Sequence, residues 1–364
     1  MEAESEIEIN HSFINNDLKK LLINIATEEK QKFIHLSQYT RYGFSKSNLF
    51  LIYFSREPSG SLPYLLKTFE DKVKFKIETE GMEQFKHKYS YAQNFKSFPG
   101  KLSGILLENF NKKPCKIKKP KTFANIMYET QESEVCRIIN KTYKEFNDVN
   151  REIKTEYCNI KDKYLWYLRD DKTRDILNSL TDDDIKKKKI NFYRQSIINP
   201  VYILDNLEER IKTPMTLIHG DLHQNNIVIN DENNPRIVDF AWSFENDIYI
   251  DFSLFEMSVR YFKPNCLMDY RTKNELEEIF LSEDIDNVDI KNQKAKRMIA
   301  IVREIRKQCK KYTKAYDFNH YLLSQFLVLY GLQTYTDTYN PFLVIPFLAK
   351  LGDKLIKFGY VKEI

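Results

Sequence analysis

The chain has 364 residues, of which 42% are hydrophobic and 14% aromatic, so it can bury a sizeable core and is not a disordered chain. Lysine and arginine number 57 and acidic residues 52; this weak net charge of +5 suits an anionic ligand such as a nucleotide but does not require nucleic acid. The five cysteines are widely spaced and form no zinc-binding pattern, which predicts reduced thiols in a cytoplasmic protein.

The N-terminal third alternates helical and strand patterns. Residues 1–10 are acidic and polar and contain no secretory signal. Apolar residues at helical spacing over 13–33 predict an amphipathic helix, so that 1–33 is expected to be an N-terminal helical extension. The further predicted elements are strands at 50–54 and 63–67, a helix at 70–90 and a strand at 102–107.

The rest of the chain is predicted to be mostly helical, with one embedded hairpin. Residues 112–121 carry two prolines and six lysines, which predicts a linker between an N-lobe at 34–111 and a C-lobe at 122–364. The hairpin has short strands at 227–229 and 237–238. No segment reaches the roughly 20 apolar residues of a membrane-spanning helix, so no membrane is expected as a partner. This order predicts an α+β fold with a small β-rich N-lobe and a large helical C-lobe.

Polar residues flank the predicted hairpin on both sides. The sequence HGDLHQNN runs from His219 to Asn226, and Asp239 follows the second strand. A hairpin brings its two ends together, so Asp221, Asn226 and Asp239 are expected to converge. Phosphoryl transfer needs such a set, because one carboxylate accepts the proton of the attacking hydroxyl while an amide oxygen and a second carboxylate hold Mg²⁺.

These motifs resemble those of the aminoglycoside-phosphotransferase and choline-kinase families. HGDLHQNN at 219–226 matches their HGDxxxxN catalytic loop, and IVDF at 237–240 matches their metal motif. The resemblance implies a bilobal protein-kinase-like fold with ATP and Mg²⁺ as cofactors. It also implies Asp221 as the catalytic base and Asn226 and Asp239 as metal ligands.

A second element of these families follows downstream. Asp247 and Asp251 resemble the D-P-x-x-D-L element, with Ile248 where proline is usual and Phe252 where leucine is usual. The resemblance implies that Asp251 braces the catalytic loop structurally. His219 is assigned the same supporting role, since Asp221 already supplies the base.

The resemblance further implies a nucleotide-binding N-lobe. Lys67 closes a predicted strand, as the phosphate-binding lysine of kinase-like folds does, and its partner on the following helix is Glu78 or, alternatively, Glu80. Ser45 and Ser47 lie in a turn whose N–H groups could cradle phosphates. The chain has only 9 glycines and no Walker A sequence, so a P-loop NTPase is excluded.

Three questions stay open from the sequence. Glu108 falls in a segment that chain order alone marks as the hinge facing adenine. His223 either approaches the transferred phosphate or caps the loop. No motif in 122–212 or 265–364, where the resemblance places acceptor binding, identifies the acceptor.

Two functions fit these residues. The first is an active kinase that moves the γ-phosphate of Mg-ATP to a hydroxyl of a small molecule. The second is a nucleotide-binding regulatory module that acts through a protein partner without small-molecule turnover. The second is supported by 195–265, which resembles the ternary-complex-associated phosphotransferase-like domains of bacterial signalling and defence proteins. A nucleic-acid-binding function is disfavoured, because the lysine runs have no interleaved aromatic residues.

Overall fold

The structure is a computed structural model. It describes residues 7–10, 14–39, 48–56, 61–89, 95–107, 121–146, 152–208, 210–230, 232–262, 268–286, 288, 290–314 and 316–362. Internal contacts divide the chain into two compact units. The first unit comprises Met1–Thr130, Lys141–Asp148 and Gln224–Ser243, and the second comprises the rest.

The helices and strands are numbered in chain order. The elements up to the first long helix of the middle region are β1 Glu8–Asn10, α1 Asn16–Glu28, β2 Phe33–Tyr39, β3 Asn48–Tyr53, β4 Tyr64–Phe69, α2 Lys72–Tyr89, β5 Phe95–Phe98, β6 Ser103–Leu107, β7 Lys121–Thr122, α3 Phe123–Ile126 and α4 Glu132–Phe146. The middle elements are β8 Lys154–Asn159, α5 Ile160–Lys163, α6 Leu165–Leu168, α7 Asp170–Leu180, β9 Lys189–Phe192, β10 Gln195–Ile198, α8 Pro200–Asp205, β11 Arg210–Ile218, β12 Ile227–Ile229, β13 Pro235–Ile237 and β14 Phe244–Asp247. The C-terminal elements are α9 Tyr249–Tyr261, α10 Tyr270–Phe280, α11 Gln293–Tyr312, α12 Phe318–Leu332 and α13 Pro341–Lys357.

The first unit is built on a sheet of six described strands in the order β1-β2-β3-β4-β6-β5. Strand β1 pairs with β2 in parallel, and the other neighbours pair antiparallel. Helix α1 starts at the cap Asn15, whose side chain accepts the Leu18 N–H at 2.8 Å. Its apolar stripe, which includes Leu22 and Ile25, is fully buried against the sheet, and the buried stripe gives the helix its stability.

A smaller sheet of the first unit carries the predicted hairpin. Strands β12 and β13 pair antiparallel with Ile227 opposite Ile237, and β12 also pairs with β7. The side chain of Asn230 closes the turn by accepting the N–H groups of Glu232 and Asn234 at 3.0 and 2.8 Å. The hairpin therefore holds the residues before β12 and after β13 at one end.

The second unit combines helices with two small sheets. Strands β14, β11 and β8 form one sheet, and β9 and β10 form a hairpin. Helix α12 is buried on every side from His320 to Gly331, and it packs in a core with α9 and α13. In the part of the chain that the structure describes, no helix combines the length and apolar character needed to cross a bilayer.

The predicted α+β class, with a strand-rich first third and a mostly helical remainder, is confirmed. The expectation that 122–212 is mostly helical is too simple, because β8, β9, β10 and the start of β11 lie there. Strand β8 exposes four of its six residues and shows no apolar alternation, so hydrophobic periodicity gave no signal for it. It is stabilised by pairing with β11, a partner distant in the chain.

Candidate active site

A buried lysine forms the centre of the first unit's polar cluster. Lys67 lies on β4, and its side chain is only 4% exposed. Its Nζ donates hydrogen bonds to Glu78 Oε2 at 2.5 Å and to Asp239 Oδ1 at 2.8 Å. Burial acts to lower the pKa of Lys67, but the two carboxylates outweigh burial, and the pKa is raised above its ordinary value. Lys67 is therefore held as a cation.

Helix α2 supplies the first carboxylate. Glu78 lies on the buried face of α2 together with Met82 and Phe85, at helical spacings of four and three. Glu80 lies on the exposed face, where it is 3.7 Å from Lys76. The structure thus brings Glu78, and not Glu80, to Lys67.

Asp239, the second residue after β13, supplies the second carboxylate. Its backbone has φ +77°, a left-handed conformation that costs on the order of 1 kcal/mol or more in a non-glycine residue. Two contacts hold this segment against α2. Gly81 faces the Phe240 carbonyl so closely that a Cβ could not fit, and the rings of Phe85 and Phe240 meet edge to face at 5.2 Å.

A pocket opens beside the cluster within the first unit. Apolar side chains from β3, α2, β6 and the segment after β13 line it, together with the three charged residues. The lining residues are Leu49, Lys67, Glu78, Met82, Ile105, Leu107, Val238, Asp239 and Phe240. The pocket is small, with room for about one water molecule, so its lining rather than its size marks it as a candidate ligand site.

Asn226 lies at the same end of the hairpin as Asp239. The Val238 N–H donates to the Asn226 carbonyl at 3.0 Å, one residue before Asp239, and Asn226 is fully buried. An amide oxygen and a carboxylate are hard oxygen donors of the kind that Mg²⁺ prefers. The chemistry of this pair fits a magnesium ion.

The loop that carries Asp221 belongs to the second unit and follows β11. Both carboxylate oxygens of Asp251 are used here: Oδ2 accepts the His219 N–H and Oδ1 accepts the Gly220 N–H, each at 2.8 Å. His219 is fully buried, and its Nδ1 accepts the Asp221 N–H at 3.3 Å. Asp251 and His219 therefore shape the backbone on both sides of Gly220, which has φ +77°.

Asp221 itself is accessible, since its side chain is 32% exposed. The His223 N–H donates to the Asp221 carbonyl at 2.9 Å, and His223 Nε2 lies 3.6 Å from Asp221 Oδ2. His223 thus closes the turn after Asp221 and lies beside its carboxylate.

The departures from the family pattern at 248 and 252 have a local explanation. Ile248 has φ −58°, which proline could adopt, but its N–H donates to the Pro214 carbonyl at 3.0 Å, and proline has no N–H. Phe252 is 1% exposed and fills a core position that leucine would also fill. Both substitutions therefore preserve the start of α9, which carries Asp251.

Three predicted positions lie outside the described residues. They are the two serines of the proposed phosphate turn and the hinge glutamate, namely Ser45, Ser47 and Glu108. The linker prediction at 112–121 also lies outside them, apart from Lys121 in β7.

Comparison with known families agrees with this arrangement. Residues 120–272, which contain Asp221, Asn226, Asp239 and Asp251, match the family model described as the phosphotransferase enzyme family. Over this segment the chain matches the family predicted from its motifs. A comparison with curated proteins finds no match.

Solved structures of phosphotransferases resemble the chain at low identity. A thermostable mutant of aminoglycoside phosphotransferase APH(4)-Ia, with ADP and hygromycin B, is 12% identical and has a TM-score of 0.44, covering 93% of this chain and 99% of that one. Choline kinase LicA from Streptococcus pneumoniae is 14% identical with a TM-score of 0.37, covering 87% and 99%. Plasmodium vivax ethanolamine kinase is 11% identical with a TM-score of 0.37, covering 89% and 82%. These likenesses are too weak to bear on the function of this chain.

Sequence reasoning missed several residues around the loop that carries Asp221. The Tyr167 hydroxyl donates to the Gly220 carbonyl. Asp247 accepts from the Tyr164 hydroxyl at 2.7 Å and lies 2.8 Å from His320 Nε2. These partners are separated by more than 50 positions in the chain, and no local pattern marks them.

Proposed function

We propose that the chain is an ATP-dependent phosphotransferase that moves the γ-phosphate of Mg-ATP to a hydroxyl of a small molecule. The observation that carries the proposal is the buried cluster of Lys67, Glu78 and Asp239 beside an apolar pocket. The polar cluster suits the phosphates and the metal ion of a nucleotide. The family match over 120–272 supports the same reaction class.

The charges of the cluster favour a metal-bound nucleotide. One ammonium and two carboxylates carry a combined charge of −1, and their side chains are only 3% to 12% exposed. Buried net charge is costly, so a cation at Asp239 is favourable. Asn226 and Asp239 would hold magnesium, which neutralises phosphate charge when bound. Lys67, positioned by Glu78, binds the α- and β-phosphates.

Asp221 accepts the proton of the acceptor hydroxyl. Its partial exposure leaves the carboxylate open to a hydroxyl, and Asp251 and His219 fix the backbone that carries it. Asp221 lies five positions before Asn226, the spacing of the family's catalytic loop. The base and a metal ligand are therefore carried by one short segment.

The alternative is a nucleotide-binding module that is read by a protein partner and transfers no phosphate. The departure from the family pattern at Ile248 does not favour this module, because the Ile248 N–H donates to the Pro214 carbonyl at 3.0 Å and the start of α9 is preserved. Turnover separates the two functions. A small-molecule hydroxyl as acceptor, a protein partner and a cytoplasmic location stay predictions from the sequence, and the identity of the acceptor stays open.

The experiment measures Mg-ATP binding and ADP release for the wild type, Asp239→Ala and Asp221→Ala. We expect Asp239→Ala to weaken Mg-ATP binding by at least tenfold, because it removes a metal ligand. Asp221→Ala should bind Mg-ATP like the wild type but lose turnover by about 100-fold or more, because it removes the base. Asp175→Ala, at an exposed position of α7, is the matched control.

The split between the two variants decides the proposal. ADP release that is unchanged in Asp221→Ala contradicts the role of the base. Binding without turnover in the wild type favours the regulatory module. No nucleotide binding by the wild type contradicts both functions.

A further inference from the structure

Arg169, in the second unit, has a left-handed backbone conformation. Arg169 joins α6 to α7 with φ 43° and ψ 47°. A residue with a Cβ pays about 1 to 2 kcal/mol for this conformation, and glycine would not. A strained residue of this kind persists only when its surroundings hold it, and such residues concentrate at functional sites.

The C-terminal part of α12 holds this turn in place. The backbone of Gly331 approaches the Tyr167 carbonyl so closely that no side chain fits between them. The Thr173 hydroxyl donates to the Tyr330 carbonyl at 2.9 Å, and the Tyr330 hydroxyl donates to Asp170 Oδ1 at 2.7 Å. The chain is thus fixed on both sides of Arg169.

The guanidinium of Arg169 stacks on an aromatic ring, and no carboxylate neutralises its charge within the described residues. It lies 3.9 Å above the ring of Tyr335. Within the ranges that the structure describes, Arg169 forms no ion pair and no side-chain hydrogen bond. The adjacent Asp170 carboxylate accepts instead from Tyr330 and from Arg174 Nε at 3.0 Å. The N–H groups at the edge of the guanidinium are therefore available for an added anion.

One hydrogen bond and one electrostatic interaction relate the turn at Arg169 to Asp221. The Tyr167 hydroxyl donates to the Gly220 carbonyl, immediately before Asp221. Burial raises the pKa of Tyr335, the Arg169 charge lowers it and the Asp221 charge raises it, so both charges lie within electrostatic range of one phenol. Trp166 is 63% exposed and adds an aromatic surface on α6.

We propose that the acceptor of this phosphotransferase carries an anionic group, a carboxylate or a phosphate, beside a flat apolar face, and that Arg169 is the residue that selects it. This inference rests on the proposed role of Asp221. Stacking on Tyr335 holds the guanidinium plane before the acceptor arrives, and its parallel N–H groups match two oxygens of a carboxylate or phosphate. The aromatic rings pack against the apolar face. A cationic acceptor is repelled by the same arginine.

The first test measures binding without turnover. Fluorescence of Trp166, in a Trp242→Phe background with saturating Mg-ADP, follows titration with phenyl phosphate and with its neutral counterpart phenol. We expect wild-type protein to bind phenyl phosphate at least tenfold more tightly than phenol. Arg169→Gln should abolish this preference, whereas Arg271→Gln, at a position 90% exposed, should retain it.

Arg169→Gly separates recognition from folding. It removes the left-handed cost, so its thermal midpoint should not fall below that of the wild type. It should still lose the preference for phenyl phosphate. A purely structural arginine would show the opposite result, with a lower midpoint and unchanged binding.

The second test measures turnover on matched acceptors. ADP release with glycerate is compared with glycerol, and with ribose 5-phosphate compared with ribose. We expect the anionic member of at least one pair to have a kcat/KM at least tenfold higher, and Arg169→Gln to reduce that ratio by about the same factor.

The outcomes separate the inference from the proposed function. If the wild type binds Mg-ATP but binds phenyl phosphate no better than phenol, the inference is overturned and the proposed function stands. If Arg169→Gln keeps the preference for anions, the residue assignment is overturned. If the wild type does not bind Mg-ATP, the proposed function fails and the acceptor role of Arg169 fails with it.

Discussion

Replacing Gly81 by alanine tests how closely α2 must approach the segment after β13. A Cβ on Gly81 would lie less than 3.0 Å from the Phe240 carbonyl oxygen, where ordinary contact begins at 3.4 Å, and it would also meet Phe240 C and Ser243 Cβ at 3.2 Å. The two backbones must then separate by roughly 1 Å to bring this oxygen to ordinary contact distance. This separation would move α2, which carries Glu78, away from the segment that carries Asp239.

The expected effect has two parts. Crowding in a packed interior costs about 1 to 3 kcal/mol, while alanine favours a helix over glycine by about 1 kcal/mol, so the net loss of stability should be about 0 to 2 kcal/mol. Mg-ATP affinity should fall by at least tenfold, because Lys67 no longer bonds to both carboxylates. Calorimetric titration and denaturant unfolding measure the two quantities.

A second glycine-to-alanine change is the matched control. Gly352 lies in α13, and a Cβ there would meet only side-chain atoms of Ile203 and Ile198, the nearest at 2.7 Å. These side chains can shift, so Gly352→Ala should leave Mg-ATP affinity unchanged. If Gly81→Ala binds Mg-ATP like the wild type, the close approach of α2 to Phe240 does not contribute to nucleotide binding.

Two further predictions concern the second unit. Burial acts to lower the pKa of His320, but the charge of Asp247 outweighs burial, and the pKa is raised. The stability that this pair contributes is therefore complete below the pKa of histidine in the unfolded chain, about 6.5, and is lost as the pH rises through the pKa in the folded protein. The loss of unfolding free energy caused by His320→Gln should therefore be larger near pH 6 than at higher pH. Denaturant unfolding at a series of pH values measures this loss, and a loss that is the same at every pH would contradict the prediction. Ile248→Pro should lower stability by about 1 kcal/mol, because it deletes the N–H donated to Pro214 while φ −58° suits proline; an unchanged thermal midpoint would show that this bond contributes nothing.

Much of the first unit could be predicted because its signals are local. Strand β4 is a short apolar run that ends near Lys67, and Glu78 shares a helical stripe with apolar residues that turn out to be buried. Asn226 and Asp239 flank one hairpin, whose turn chemistry is visible in the sequence. For each of these residues, spacing along the chain was enough to predict which face or end it occupies.

The second unit was less predictable because its contacts join distant segments. The positions of Tyr167 and Arg169 depend on Gly331 and Tyr335, more than 150 positions later. Strand β8 is exposed and has no apolar alternation, and only its pairing with β11 defines it. Neither feature leaves a periodic signal, so tertiary contact decides both.

The proposed function requires that the buried lysine cluster of the first unit bind Mg-ATP. Equilibrium titration of Mg-ATP into the wild type, Lys67→Met and Lys76→Met measures it most directly. Lys76 is the matched control, since it lies 76% exposed on the neighbouring helix and 3.7 Å from Glu80. We expect Lys67→Met to weaken Mg-ATP binding by at least tenfold and Lys76→Met to leave it unchanged. Equal affinity in all three proteins would contradict it.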